Sequence, residues 1–404
     1  MERIAAKYVY TLEGKDPIVE GYVAFDDTGC IRSVGPCTDY ASEAVRYDGA
    51  LVPGFVNAHC HVELSYMKGL FRKGTGMAGF IDQINALRDT CPQEEKVAGI
   101  ARWMQTLWDR GVSAMADISN CADSFAVKAA SPMYTRTFLE VFGTEPQDVP
   151  AVMEGAFRLQ DSARALGLDA APTPHACYTM SPELLTASSA AALSAGFLSY
   201  HSEESEEEEM MLRYGNGPMY ENRVKAGMRT PPVTGDSSLM YFLDRLEKVH
   251  PAPYDEHVLL VHEVCMDRPG MEAVKARFRH AFVALCPLSN IFIHRALPPV
   301  REMRSAGMRL CLGTDSLSSN DDLDMVREMF CLQENFPDIP FGEILDWACL
   351  GGAEFLSKED ELGTLSPGKH PGIVLIDHLD RDGRLTTAST SRRLVASAVR
   401  RDRP

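Results

Sequence analysis

The stretch FVNAHCHVELS (55–65) ends an apolar run with two histidines one residue apart, His59 and His61. Three more histidines stand at the ends of later apolar runs: His175 in APTPHA, His201 in GFLSYHS and His262 in HVLLVHE. Asp315 closes a further run, MRLCLGTDS, and Glu203 and Glu204 follow His201 closely. A single histidine beside an apolar run is ordinarily structural. Five of the chain's eleven histidines so placed, with a carboxylate, are not explained that way. Imidazole and carboxylate together suit zinc or iron(II), with water in a remaining position.

To act together these groups must be brought to one place. Eight short apolar runs, at 51–59, 112–118, 133–142, 171–176, 196–202, 257–263, 281–287 and 308–316, alternate with helical patterns such as AGIARWMQTLWDRG and SSLMYFLDRLEKV. This α/β alternation predicts a TIM-like (β/α)8 barrel. No GxGxxG follows an early strand, which argues against an open nucleotide-binding sheet. The C-terminal ends of barrel strands share one face. Alternate residues of a strand point the same way, so His59 and His61 are both expected in the barrel mouth. Residues 1–50 and 357–404 read as short strands and turns that pair as a small β domain built from both ends, leaving 51–356 as the barrel. KGTGMAG (73–79) reads as a mobile loop at the mouth and 215–238 as a long turn-rich specificity loop. The acidic run Glu206–Glu209 reads as a solvated face.

In order along the chain, PGFVNAHCHVELS, HSEE, LLVHE, CPLSN and LGTDSLSSN resemble the amidohydrolase superfamily, in its branch of cytosine, guanine and adenosine-type deaminases and triazine hydrolases. His-x-His alone is a weak signal, but the whole set at these intervals is specific and spans nearly the whole chain. The resemblance implies a barrel with a β-sandwich made from both termini, and a hydrolase of carbon–nitrogen bonds. By position it implies His59, His61, His201 and Asp315 as metal ligands. It implies Glu204 as the acid that carries protons, Asp315 as the group that takes a proton from the attacking water, and His262 as its hydrogen-bonding partner. Binuclear members bridge two ions through a modified lysine at the end of strand four. TPHACYT has none there, so one divalent metal is expected, zinc with iron as the alternative. His175 matches a position that contacts substrate. The loop after His61 and the GKHPGIVLI tail are similar to a subgroup described as aminodeoxyfutalosine-deaminase-like.

The expected reaction is hydrolytic deamination of an aromatic amine, a purine nucleoside derivative such as aminodeoxyfutalosine or an adenosine relative. The alternatives are guanine, cytosine, triazine or amide substrates, and a non-catalytic metal-binding scaffold. Glu63, Ser289, Asn290 and Ser318 join His175 as candidate substrate contacts, while Arg223 and Arg229 are candidates for an anionic group. The net charge of −17 argues against nucleic acid and anionic lipid as partners. No apolar stretch reaches the roughly 18–20 residues that span a membrane. Eleven cysteines without CxxC pairs read as reduced thiols. A cytoplasmic enzyme with a small-molecule substrate, and a homodimer or larger homo-oligomer, is the expectation.

Overall fold

The structure, a computed structural model, describes residues 1–14, 16–37 and 44–399. Parts of the expected terminal segments, 38–43 and 400–404, lie outside the described residues. Eight strands follow one another in parallel: β5 (Phe55–Cys60), β6 (Val112–Ser119), β7 (Tyr134–Val141), β8 (Asp169–Pro174), β9 (Phe197–Ser202), β10 (Tyr254–His262), β11 (Phe278–Leu285) and β12 (Arg309–Leu312). They hydrogen-bond in sequence order as two four-stranded sheets. Two seams join the sheets. At one, His201 N–H donates to His175 O at 2.9 Å, and Thr173 Oγ1 bonds Ser199 O and N. At the other, a parallel bridge pairs Cys60 with Asp315, and Asp315 N–H donates to His59 O at 3.0 Å. Residues at the ends of strands thus close the barrel and line its mouth.

Strands buried on both faces explain the unbroken apolar runs. β5, β6 and β7 have no exposed residue. One face joins an inner cluster of Val56, Ala58, Ala116, Phe138, Val261 and Cys311, which Phe355 covers. The other face packs under the surrounding helices, through residues such as Phe55, Met115, Leu198, Leu260 and Leu312.

The expected small domain from both ends is one six-stranded sheet, ordered β14-β13-β4-β1-β2-β3, with its own core. Its strands are β1 (Glu2–Val9), β2 (Ile18–Phe25), β3 (Ile31–Pro36), β4 (Val45–Pro53), β13 (Ile373–Asp377) and β14 (Thr390–Val395). The first predicted run, 51–59, is two strands. Leu51 to Pro53 end β4, and Phe55 begins the barrel. The chain crosses between sheets at Gly54, where a Cβ would collide with Ser113 and Pro371 O.

Three further expectations change. The eighth strand ends at Leu312, so Asp315 lies beyond it on a left-handed residue (φ 56°). The predicted loop at 73–79 runs into a helix, Gly76–Leu87. Within 215–238 the chain folds a helix, Pro218–Lys225. No described helix is long and apolar enough to cross a membrane.

Candidate active site

β5 does not hold a regular pleat. Its pairing with β6 shifts between Asn57 and Cys60, a bulge that resets which residues face inward. Val56 and Ala58 belong to the inner cluster and Cys60 to the outer one, so the inward face passes to His59 and His61. Their Nε2 atoms lie 3.1 Å apart. Just beyond His61, Val62 N–H donates to Asp117 at 2.9 Å, and Asp117 is paired with the fully buried Lys128.

Ligand nitrogens of His59, His61 and His201 all lie within 4.8 Å of one another. Asp315 Oδ1 stands 3.7 Å from His59 Nε2 and 3.6 Å from His61 Nε2. Burial pushes all three imidazoles toward the neutral form. Burial would raise Asp315, but His61, His59, His262 and the Ser289 hydroxyl hold its carboxyl below the usual range. Ser289 and Ser319 donate to its Oδ2 at 2.6 and 2.8 Å. Neutral nitrogen lone pairs converging beside one anion leave a repulsive arrangement that a borderline cation relieves, so the donor set fits zinc or iron(II).

Glu204 faces this cluster from the turn after β9. Glu204 Oε1 is 3.4 Å from His262 Nε2, and Tyr178 OH donates to Oε2 at 3.0 Å. Burial, Asp315 and Glu208 raise its pKa well above the ordinary carboxyl value. By strict alternation His262 would face outward with Val258 and Leu260. Left-handed backbone at His262 and Glu263 (φ 77° and 51°) ends the strand and turns the ring to Glu204 and to Asn290 Nδ2, 3.1 Å from its Nδ1. Burial brings His262 down to about 4.

These groups open into a cavity of about 390 Å³, a size suited to a small organic ligand. His61, His175, His201, Glu204, His262, Asp315 and Ser318 reach it. Helix Gly76–Leu87 supplies an apolar wall of Met77, Phe80, Ile81 and Ile84. Arg88 and Arg223 also line it, and Arg223 donates to Arg229 O rather than to an acid.

Three expected substrate contacts lie behind the cavity wall. Both Glu63 oxygens accept from Asn120 N–H at 3.0 Å. Ser289 holds Asp315, and Asn290 holds His262. Arg229 is exposed and outside the lining. Glu203, left-handed at φ 45°, is buried away from the lining. Glu208, expected on a solvated face, is fully buried, and its Oε2 accepts Glu204 N–H at 2.8 Å. The Ser205 cap sets the first turn of helix Glu206–Tyr214 and directs that side chain back into the strand end.

Sequence reasoning missed Glu140, Asn120, Tyr178 and Arg88. Glu140 is the last residue but one of β7, with Oε1 3.4 Å from His201 Nδ1. Its signal was an acid near the end of a fully buried strand.

The Amidohydrolase family profile matches residues 50–396. The chain belongs to this family. Among curated amidohydrolase relatives, it is 26% identical to adenosine deaminase of Helicobacter pylori over 378 residues, covering 88% of this chain and 87% of that one. Helicobacter pylori aminofutalosine deaminase in complex with methylthio-coformycin superposes with a TM-score of 0.76 at 22% identity, covering 96% and 94% of the two chains. A zinc-bound adenosine deaminase from Xanthomonas campestris superposes with a TM-score of 0.73 at 21% identity, covering 95% and 86%. These structures share the amidohydrolase fold seen here.

Proposed function

We propose that the chain is a metal-dependent hydrolytic deaminase of a purine nucleoside derivative. The observation that carries this reading is the pairing of Glu204 with His262 beside the convergent set His59, His61, His201 and Asp315, of which all but the fully buried His59 line one cavity. The relatives named adenosine and aminofutalosine deaminase support the substrate class. Zinc is the proposed ion, in keeping with the donor set and the zinc in the Xanthomonas enzyme. The eleven free cysteines support a cytoplasmic setting.

His59, His61, His201 and Asp315 would hold the ion, which supplies acidification of a bound water from a pKa of about 15.7 to near 7. Ser289 and Ser319 bind Asp315 Oδ2, which leaves Oδ1 on the side of His59 and His61, where it would face the ion and take a proton from the water. Glu204, kept protonated by burial and neighbouring carboxylates, donates to the ring nitrogen beside the attacked carbon. The proton that Asp315 took from the water goes to the leaving amine, which departs as ammonia, and Glu204 regains a proton from the hydroxyl added to the carbon. His262 is neutral at pH 7 and fixed through Nδ1, so Nε2 faces the reacting carbon. The apolar wall of Phe80, Ile81 and Ile84 excludes water and suits a flat base. Arg88 and Arg223 suit a substrate whose remaining part carries negative charge.

The test is ammonia release by zinc-loaded protein from adenosine, 5-methylthioadenosine, aminofutalosine, guanine and cytosine. Release from a purine nucleoside and not from the free bases is expected. Release from none, with metal bound, would overturn the deaminase reading in favour of another leaving group.

A further inference from the structure

We infer that Glu140 is a positioning residue for His201, fixing which imidazole nitrogen of that ligand is left to face His59 and His61. The inference rests on the reading that His59, His61, His201 and Asp315 hold the metal.

An imidazole binds a metal through one nitrogen, and in the neutral ring the other carries a proton that needs an acceptor. His201 is buried, and its Nδ1 has no hydrogen-bonding partner. The nearest acceptor is Glu140 Oε1 at 3.4 Å, itself buried and unpartnered. Two unsatisfied buried atoms facing each other identify a donor and its acceptor. With Nδ1 committed to Glu140, Nε2 is the nitrogen that remains for a metal.

Glu140 is itself anchored. Asn120 Nδ2 donates to Glu140 O at 3.0 Å and to Oε2 at 3.3 Å. Asn120 N–H is in turn gripped by both oxygens of Glu63, two residues after His61. The contacts therefore run from the loop after β5, through the residue after β6, to β7 and across to β9. They tie the element bearing His59 and His61 to the element bearing His201, and they give Glu63 a purpose behind the cavity wall. Such carboxylate partners set ring orientation and ligand basicity, and their loss typically costs about 10- to 100-fold in metal affinity.

Two other assignments are open to Glu140. It lines the cavity, so it could touch substrate. With His175 and His201 it also forms a second group able to hold an ion, His175 Nε2 being 4.0 Å from Oε1. His175 Nδ1 meets Thr179 Oγ1 at 2.7 Å, which leaves Nε2 turned to Glu140 in either case.

The experiment titrates metal-free protein with zinc against a chromophoric chelator and counts zinc per chain, for the native protein and for Glu140→Ala, Glu140→Gln and Asn120→Ala. Gln keeps an oxygen that accepts the His201 proton. The expected result is one zinc per chain throughout, an affinity about 10- to 100-fold weaker in Glu140→Ala, a smaller loss in Asn120→Ala, and recovery toward native affinity in Glu140→Gln. At saturating zinc the Ala variant should lose kcat more than it raises KM. Native zinc affinity in Glu140→Ala overturns the inference. So does a second zinc in the native protein that Glu140→Ala and Glu140→Gln both lose, which makes Glu140 a ligand. A rise in KM with unchanged zinc affinity also overturns it, in favour of a substrate contact. Should Glu140→Ala fail to fold, Glu140→Gln and Asn120→Ala carry the comparison. Failure of the underlying metal reading is separate: the native protein would then bind no zinc that His61→Ala removes.

Discussion

Glu204 is asked to hold a proton within reach of His262 while Asp315 stays ionised nearby. The two carboxyls diverge because their surroundings differ. Burial and the neighbouring acids Asp315 and Glu208 raise Glu204, whereas three imidazoles and a serine hydroxyl hold Asp315 down. Glu204→Gln should therefore keep the metal and fold while turnover falls about 100- to 10,000-fold. Zinc content and ammonia release measured on one preparation check this, and retained turnover would remove Glu204 from its role. The histidines, Asp315 and Glu204 were legible because each ends a strand-like run and their order follows a known motif. Glu140, Asn120 and Tyr178 were not, since each meets its partner from another strand end and no local spacing records such a meeting. Ser289 and Asn290 were legible as site residues but not in what they touch: one orients Asp315 and the other His262.

At the scale of elements, the backbone irregularities aim the chemistry. The bulge in β5 turns both histidines inward, and left-handed residues at His262 and Asp315 bend the chain where strands β10 and β12 have ended. Periodicity alone sees none of these, because a bulge or a positive φ changes direction without changing composition. The apolar run 51–59 hid a change of sheet for the same reason. The glycines of KGTGMAG masked a helix whose apolar spacing, Met77, Phe80, Ile81 and Ile84, was present to be read. One glycine has a sharper task. A Cβ on Gly313 would lie 2.8 Å from His59 O and 2.9 Å from His59 N and Cβ. Gly313→Ala should cost about 1–3 kcal/mol by overpacking and weaken zinc binding by displacing His59. Unchanged thermal stability together with unchanged zinc affinity would refute this close approach as a determinant of the site.

Across the whole molecule, a chain with 57 acidic residues buries several of them on one side of the barrel. Burial raises Glu63 and Glu208 to about 7, and Glu203 to about 8, from an ordinary value near 4.5. In that window the folded chain holds protons that the unfolded chain has released. Stability conferred by these groups is present at low pH and falls as pH rises through their folded values. Metal-free protein should then unfold in less urea at about pH 8.5 than at about pH 5.5, and the reverse order would contradict the burial of these carboxyls. The barrel itself was legible because eight alternations of strand and helix admit few packings, and the terminal sheet because both ends read as short strands. The most direct test of the account is stepwise addition of zinc to metal-free protein while ammonia release from an adenosine-type nucleoside is followed. Activity absent without zinc and rising to a break at one ion per chain is predicted. Activity that ignores zinc, or that needs two ions per chain, would contradict it.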